Sequence, residues 1–303
     1  MLSSISKLGV NAVSIGSSIT EEIGVLVRCV KGGEIAARIR FWYYLRWRSY
    51  LPTIERIVKT RCGIVLLCGI LNSACSIDPR SQLEYGNDHF AQVRRDMVVK
   101  QLTGRDIVDE SVLRVMAEIP RHLFVGEKWQ EFAYADHPLP IGEGQTISQP
   151  YIVAFMTQAL ILDGGEKVLE VGTGSGYQAA VLGALVDEVY TIEIVPLLAQ
   201  RSAALIEGLG YGNIRVREGD GYLGWPEAAP FDAVMVTAAP DHVPEPLVEQ
   251  LNLGGRLVLP VGDDAQQLLR LTRTEGGVKI DTLLPVRFVP MTGQALEQDQ
   301  SQR

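Results

Sequence analysis

Lys167-Val168-Leu169-Glu170-Val171-Gly172-Thr173-Gly174-Ser175-Gly176 is the stretch on which the fold turns. Its first five residues are a strand candidate, and downstream Val-Met-Val-Thr at 234–237 and Arg-Leu-Val-Leu-Pro at 256–260 read as the near-continuous apolar runs of buried parallel strands. Glycine at every second position of 172–176 then allows backbone to approach a ligand where a side chain would collide. A helical run over 177–185 follows, and the alternation continues downstream. Strands are predicted at 188–194, 213–218, 231–237 and 255–260, with helices at 196–209 and 244–251. This succession of βαβ units predicts an α/β protein with a Rossmann-like, mostly parallel doubly wound sheet. Segments 266–274 and 278–289 flank Glu275-Gly276-Gly277, a turn signal, and are expected to form an antiparallel C-terminal hairpin at the sheet edge.

Upstream of the decisive strand, Val93, Met97, Val98 and Leu102 recur at helical spacing over 90–102. A second helix begins after the N-cap candidate Asp109 and is stopped by Pro120. A glycine-rich stretch at 142–147 precedes a third helix, 149–162, with Pro150 in its first turn, where a missing N–H costs nothing.

The 303 residues are 47% hydrophobic, enough for a large core and too many for disorder. Charge divides the chain: residues 1–79 carry ten Lys/Arg against five Asp/Glu, and the rest eighteen against thirty-one. An acidic body lacks the clustered cations that phosphate contacts require, which argues against nucleic acid as partner. Cys29, Cys62, Cys68 and Cys75 all precede Pro79 without C-x-x-C spacing, and His89, His122, His137 and His242 are scattered singly. No metal is expected.

Residues 1–79 read as an N-terminal extension and 80–303 as the catalytic domain. Within the extension, 56–75 pass from basic to apolar to small residues, the grammar of a secretory signal. The apolar part, about 62–73, is shorter than the ~20 residues of a membrane-spanning helix, and Cys75 loosely resembles a lipoprotein cleavage site. The cluster from Phe41 to Arg48 shows no steady period. A signal lying so far from Met1 suggests translation from Val58 through a non-AUG codon; a membrane-surface or unstructured extension is the competing expectation. The compartment expected for the body is the cytoplasm, with export or lipid anchoring near Cys75 as the alternative.

A Gly-rich βα turn alone could serve NAD, FAD or S-adenosylmethionine, or simply turn the chain. Glu193 ends the next strand, seventeen residues past Gly176, where a carboxylate can accept hydrogen bonds from both hydroxyls of a ribose. Its bland reading is a solvated strand-end acid. The loop is G-x-G-x-G rather than G-x-G-x-x-G, and Glu170 precedes it; an acid there repels a pyrophosphate but suits the ammonium and sulfonium of S-adenosylmethionine. Asp220, before Gly221 at the end of the third strand, is placed to accept from an adenine amino group, or is only a turn former. Thr237 emerges at the carboxyl edge of the fourth strand, where ligands bind in open α/β sheets. Gly172, Thr173, Gly174, Ser175 and Gly176 complete the expected cofactor set.

Taken together, Gly-Glu-Gly-Gln-Thr-Ile-Ser-Gln-Pro at 142–150, Glu-Val-Gly-Thr-Gly-Ser-Gly-Tyr-Gln at 170–178, Gly-Asp-Gly at 219–221, Phe-Asp-Ala-Val-Met-Val-Thr-Ala-Ala from Phe231 and Val-Arg-Phe-Val-Pro from Val286 resemble the protein-L-isoaspartate (D-aspartate) O-methyltransferases over roughly 93–293. The glycine motif indicates only a class I methyltransferase; the Thr-Ile-Ser-Gln-Pro segment narrows it to this family. The resemblance implies that S-adenosylmethionine donates a methyl group to isoaspartyl carboxyls of damaged proteins and peptides, starting their repair through a succinimide. It implies that Ser148 is the active-site residue, with Thr146 and Ile147 beside it where cofactor and substrate meet. Ser148 is also a good N-cap for the following helix. The alternatives weighed are a methyltransferase for other acceptors, a non-enzymatic binding module on the same fold, and a dehydrogenase.

Overall fold

The computed structural model describes residues 90–295 in full and, before them, two strands, β1 (Glu22–Lys31) and β2 (Ile35–Tyr44). The chain divides into two units, Met1–Asp78 and Pro79–Arg303. In the first, β1 and β2 pair antiparallel from Glu22 opposite Tyr44 to Lys31 opposite Ile35. Phe41 to Tyr44, half of the cluster without a readable period, therefore end a strand. Aromatic residues favour strands even where alternation is lost. Segment 56–75, with the expected start at Val58, the apolar stretch 62–73 and Cys75, lies outside the described residues.

The second unit opens with α1 (Ala91–Met97), continued by a π-helical turn Val98–Thr103, and α2 (Glu110–Glu118). The carboxylate of Asp109 caps α2, accepting from the amides of Ser111 and Val112 at 2.9 and 3.1 Å. Ile119, before Pro120, is extended at φ −71°, ψ 125°, as the proline ring demands of its predecessor. The glycine-rich stretch forms a hairpin that periodicity did not predict, β3 (Leu139–Gly142) with β4 (Gln145–Ile147). Glu143 and Gly144 turn it with φ of +51° and +70°. Helix α3 (Pro150–Ala159) leads into the main sheet.

That sheet consists of β5 (Lys167–Val171), β6 (Glu188–Glu193), β7 (Ile214–Glu218), β8 (Phe231–Val236), β9 (Leu251–Val261), β10 (Gln266–Thr274) and β11 (Gly277–Val286). Helices α4 (Tyr177–Gly183), α5 (Pro196–Gly208) and α6 (Glu245–Glu249) connect them. The order is β7-β6-β5-β8-β9-β10-β11. Strands β5 to β9 run parallel, and β10 is antiparallel to both β9 and β11. The predicted fold class is thus the observed one. β9 begins at Leu251 rather than 255, across a register shift opposite β8. β11 stops at Val286 rather than 289, because the chain leaves the edge: the Phe288 amide donates to Gln266 Oε1 at 2.6 Å, and the Met291 amide to the Ala239 carbonyl at 2.7 Å.

Both faces of the sheet are apolar, and alternate residues serve opposite faces. Val168, Ala233, Met235 and Val258 pack with Met156, Ala179, Leu182 and Ile206 of α3, α4 and α5. Leu169, Val171, Val234, Val236, Leu257 and Leu259 pack with Leu247 of α6 and with Met291 and Ala295. Because the chain goes from β5 outward to β7 and then returns to β8 on the other side, the strand order reverses between β5 and β8. A crevice must open there at the strands' carboxyl ends.

Candidate active site

Val171 ends β5, and the backbone then folds over the tips of β6 and β8. Gly172, at φ +97°, donates its amide to the Ile192 carbonyl at 2.8 Å. The Thr237 hydroxyl lies 2.7 Å from the Gly172 carbonyl and 3.0 Å from that of Val171. A side chain on Gly172 would overlap that hydroxyl, so both the backbone angle and the space require glycine here.

The result is an open crevice at the strands' carboxyl ends, where open α/β sheets bind their ligands. Gln145 and Thr146 of the β3–β4 hairpin form one wall, and residues 289–292 another. Val171, Gly172, Gly174, Ile192, Glu193, Ile194, Gly221, Thr237 and Ala238 complete it. Among these lining residues Glu193 is the charged one. It is 5% exposed; its Oε2 accepts from the Gly174 amide at 2.7 Å and its Oε1 from the Val195 amide at 2.9 Å. Each oxygen keeps a further lone pair, enough for a diol.

A second, larger cleft adjoins it, lined by Pro138, Thr146, Ser148, Gln149, Ile152, Thr237 and residues 285–290. The two share Thr146, Thr237, Val289 and Pro290. A small recess between them brings together Thr146, Ile147, Ser148, Thr173, Gly174, Ser175 and Thr237. Most of the residues expected for cofactor and catalysis are therefore assembled in one place from β4, the glycine loop, β6 and β8. Ser148 does not cap α3: the N-cap is Gln149, without a side-chain bond. Among the described residues none is hydrogen-bonded to the Ser148 hydroxyl, and only its carbonyl is engaged, by Arg121. The Gln149 amide group donates to Asp136 at 2.7 Å, and Asp136 also pairs with Arg105, which frames the outer rim of the cleft.

Three expected residues stand elsewhere. Glu170 is fully buried and does not line the crevice. Strand alternation sends its side chain to the α3–α4 face, opposite Thr191, whose hydroxyl donates to Oε2 at 2.5 Å. Its Oε1 has no hydrogen-bond partner, and burial raises its pKa to about 8. Thr191 Oγ1 lies 2.6 Å from Thr173 Oγ1, so Glu170 reaches the recess only through two hydroxyls. Asp220 is not among the lining residues of the crevice, although its neighbour Gly221 is. Its Oδ1 accepts from the Tyr222 amide at 2.9 Å and caps the turn Gly221–Leu223, while Oδ2 accepts from the Gln294 amide at 2.8 Å and fastens the C-terminal segment. Gly176 is the buried N-cap of α4 at φ +84° and serves the turn rather than the wall.

Gln145, residues 289–292 and Arg121 were not singled out from sequence. Val-Arg-Phe-Val-Pro did mark the second of these, but its apolar run read as the end of a strand. Among the described residues no three His, Cys, Asp or Glu side chains are grouped as a metal site, and no helix is long and apolar enough to cross a membrane.

Residues 93–296 match the family model described as protein-L-isoaspartate(D-aspartate) O-methyltransferase. A protein-L-isoaspartate O-methyltransferase 2 of Shewanella sediminis is 55% identical over 213 residues, covering 70% of this chain and 87% of the relative. A protein-L-isoaspartate O-methyltransferase of Opitutus terrae is 58% identical over 201 residues, covering 66% and 86%. Among solved structures, a protein-L-isoaspartate O-methyltransferase superposes with a TM-score of 0.63 at 29% identity, covering 68% of this chain and 69% of the other. A β-aspartate methyltransferase from Plasmodium falciparum in complex with S-adenosyl-L-homocysteine gives 0.59 at 27% identity, covering 66% and 98%.

Proposed function

This chain belongs to the protein-L-isoaspartate(D-aspartate) O-methyltransferase family, and on that premise we propose how its own residues divide the work. It transfers the methyl group of S-adenosylmethionine to the free carboxyl of isoaspartyl residues in damaged proteins and peptides. The observation that carries our reading is the lining of the crevice. It offers one carboxylate and no cation, opens onto a second cleft at Ser148, and so suits a positively charged donor beside an extended peptide.

S-adenosylmethionine supplies, when bound, a methyl group on a positively charged sulfur. Glu193 would hold the ribose hydroxyls; Gly172, Gly174 and Gly221 would let the cofactor lie against backbone; Thr146, Ile147, Thr173, Ser175 and Thr237 would shape the junction with the acceptor. Glu170 contributes from below, through Thr191 and Thr173, and Asp220 contributes by holding residues 289–294 across the crevice. Ser148 would donate its free hydroxyl to the acceptor carboxylate and fix its angle of approach.

The acceptor needs no base. An aspartyl-type carboxyl ordinarily has a pKa of about 3.9 and is ionised at neutral pH, so one of its oxygens attacks the methyl carbon directly. The carbon–sulfur bond breaks as the ester bond forms, and S-adenosylhomocysteine leaves. The next backbone amide nitrogen then closes on the ester, expelling methanol and giving a succinimide, whose hydrolysis returns part of the chain to normal aspartate. Alignment of oxygen, carbon and sulfur can contribute ~7–11 kcal/mol in favourable cases, which is the contribution asked of this site. We take the cytoplasm, where the donor is made, as the compartment. A role for 62–73 at a membrane would be additional, and that segment lies outside the described residues.

The test is methyl transfer from labelled S-adenosylmethionine to matched peptides containing isoaspartate or normal aspartate, using the full chain. Base-labile methyl ester on the isoaspartyl peptide alone is the expected result. Transfer to neither peptide, with S-adenosylhomocysteine still bound, would overturn the acceptor assignment.

A further inference from the structure

Arg121 is the bulkiest side chain in the described residues to be completely shut off from solvent, at 0% exposure. It sits in a 3-10 turn, Arg121–Phe124, packed beneath the cleft. No carboxylate pairs with it among the described residues. Its Nε donates to the Ala133 carbonyl and its Nη2 to the Ser148 carbonyl, both at 2.6 Å, and its guanidinium lies 4.8 Å from the centre of the Tyr177 ring. Nη1 has no hydrogen-bond partner. Burial lowers its pKa to about 10, against attraction from Tyr177 and Tyr134, which leaves it cationic at neutral pH.

Such a group is a poor choice for packing. An unneutralised buried cation is expensive, and an apolar side chain of similar volume in its place is often more stable. What it does touch is informative. Ala133 heads the loop that leads to Pro138, and Pro138 and Ser148 both line the acceptor cleft.

We infer that Arg121 is a positioning residue for methyl transfer: it clamps the Ser148 carbonyl into the interior, leaving the hydroxyl to the cleft, and its uncompensated charge favours the acceptor carboxylate there. The inference rests on the function proposed above and adds to it a residue that fixes the geometry at Ser148 and adds a buried charge to that of Arg287 in the cleft lining. In an otherwise acidic protein, Arg287 in the lining of the cleft and Arg121 behind Ser148 are the cations placed to draw in an anionic acceptor. A charge of this kind acts beyond its own hydrogen bonds because the surrounding protein screens it less than water does.

The experiment compares the full chain with Arg121→Met and Arg121→Lys. It measures kcat and KM for an isoaspartyl peptide, the dissociation constant of S-adenosylhomocysteine by calorimetry, and the thermal transition. Arg121→Met is expected to bind S-adenosylhomocysteine within about twofold of wild type but to lose roughly 100-fold in kcat/KM for the peptide, shared between a raised KM and a lowered kcat. Arg121→Lys keeps the charge and loses the planar fork, so the peptide KM should recover while kcat stays low. Wild-type kcat/KM in Arg121→Met overturns the inference. So does a loss of S-adenosylhomocysteine affinity in step with the loss of rate, which would make Arg121 a packing element only. Should Arg121→Met fail to fold, Arg121→Lys decides, and unchanged kcat and KM there overturn it. A wild-type chain that cannot methylate the peptide strikes the functional reading first and this inference with it, and is told apart because no variant is involved.

Discussion

The floor of the cofactor crevice can be tested through one close approach, Gly221 against Val171. Both line the crevice, and both are buried. A Cβ built on Gly221 would overlap Cγ1 of Val171 and come within 3.4 Å of its Cβ and 3.5 Å of its Cγ2. Gly221 has no positive φ, so backbone strain does not confound the substitution, and Gly221→Ala measures steric overlap alone. Overpacking of this kind costs about 1–3 kcal/mol. Val171 is 4% exposed, and Val171→Ala removes two buried methyls at about 0.8 kcal/mol each, before any cavity is counted. In the double variant the new methyl occupies space the old one left, so both costs should shrink together. We expect a coupling of about 2 kcal/mol, favourable to the pair. Urea denaturation of the four proteins gives the cycle, and calorimetry with S-adenosylhomocysteine shows whether affinity follows. Additivity within about 0.5 kcal/mol would mean that the two side chains do not meet, and that the crevice floor is not built as described.

Ser148→Ala should lower kcat for the isoaspartyl peptide by tenfold or more, roughly what one transition-state hydrogen bond supplies, while S-adenosylhomocysteine affinity holds; an unchanged kcat removes Ser148 from the reaction. Glu193→Ala deletes the charged residue of the crevice and two amide caps, and should weaken S-adenosylhomocysteine by about 10–100-fold, given ~1.5–3 kcal/mol for bonds to a charged group; unaltered affinity in calorimetry would take it out of the ribose site. Glu170→Gln tests the buried carboxyl through pH. Burial raises its pKa from 4.5 to about 8, so the native state binds the extra proton, and its contribution to stability is fully present below about pH 4.5 and lost as pH rises through 8. Denaturation of the cofactor-free proteins should therefore show wild type losing stability from pH 5 to 8 relative to Glu170→Gln; parallel curves would refute the placement.

Much of the parallel sheet was readable because its signals are local. Mainly apolar runs at 167–171 and 231–236, interrupted by Lys167, Glu170 and Asp232 and each closed by glycine or a small polar residue, have few structural solutions, and the order of strands follows from connection rules. What escaped depends on neighbours distant in sequence. Glu170 directly precedes the glycine loop in sequence, yet a strand's alternation turns its side chain onto the α3–α4 face and out of the crevice lining. Asp220 also fastens the C-terminal segment, and nothing in Gly-Asp-Gly announces Gln294, 74 residues later, as its partner. The β3–β4 hairpin has strands of four and three residues and turns at Glu143, a residue that gives no turn signal of its own. Arg121 lies in Ile-Pro-Arg-His-Leu-Phe, where the default for an arginine is the surface; only the fold reveals that two carbonyls and a tyrosine ring enclose it.

Two charges of opposite sign thus flank the place where a methyl group would change hands, and each is on the side its ligand requires. On the donor side Glu193 lines the crevice, and Glu170 lies buried beneath the glycine loop, where a bound cationic sulfur compound would favour its ionised form. On the acceptor side Arg121 sits behind Ser148 with no carboxylate to quench it. The donor loses its charge on transfer and the acceptor loses its own on becoming an ester, so the field that gathers the reactants holds the products less strongly. Raising ionic strength should accordingly weaken substrate association less than it would at an exposed site, because the charges concerned are buried and screened little by salt. The same argument explains how an acidic protein can act on an acidic acceptor: net charge governs encounters at a distance, whereas over the last few ångströms the local cations count, Arg287 in the cleft lining and Arg121 behind Ser148.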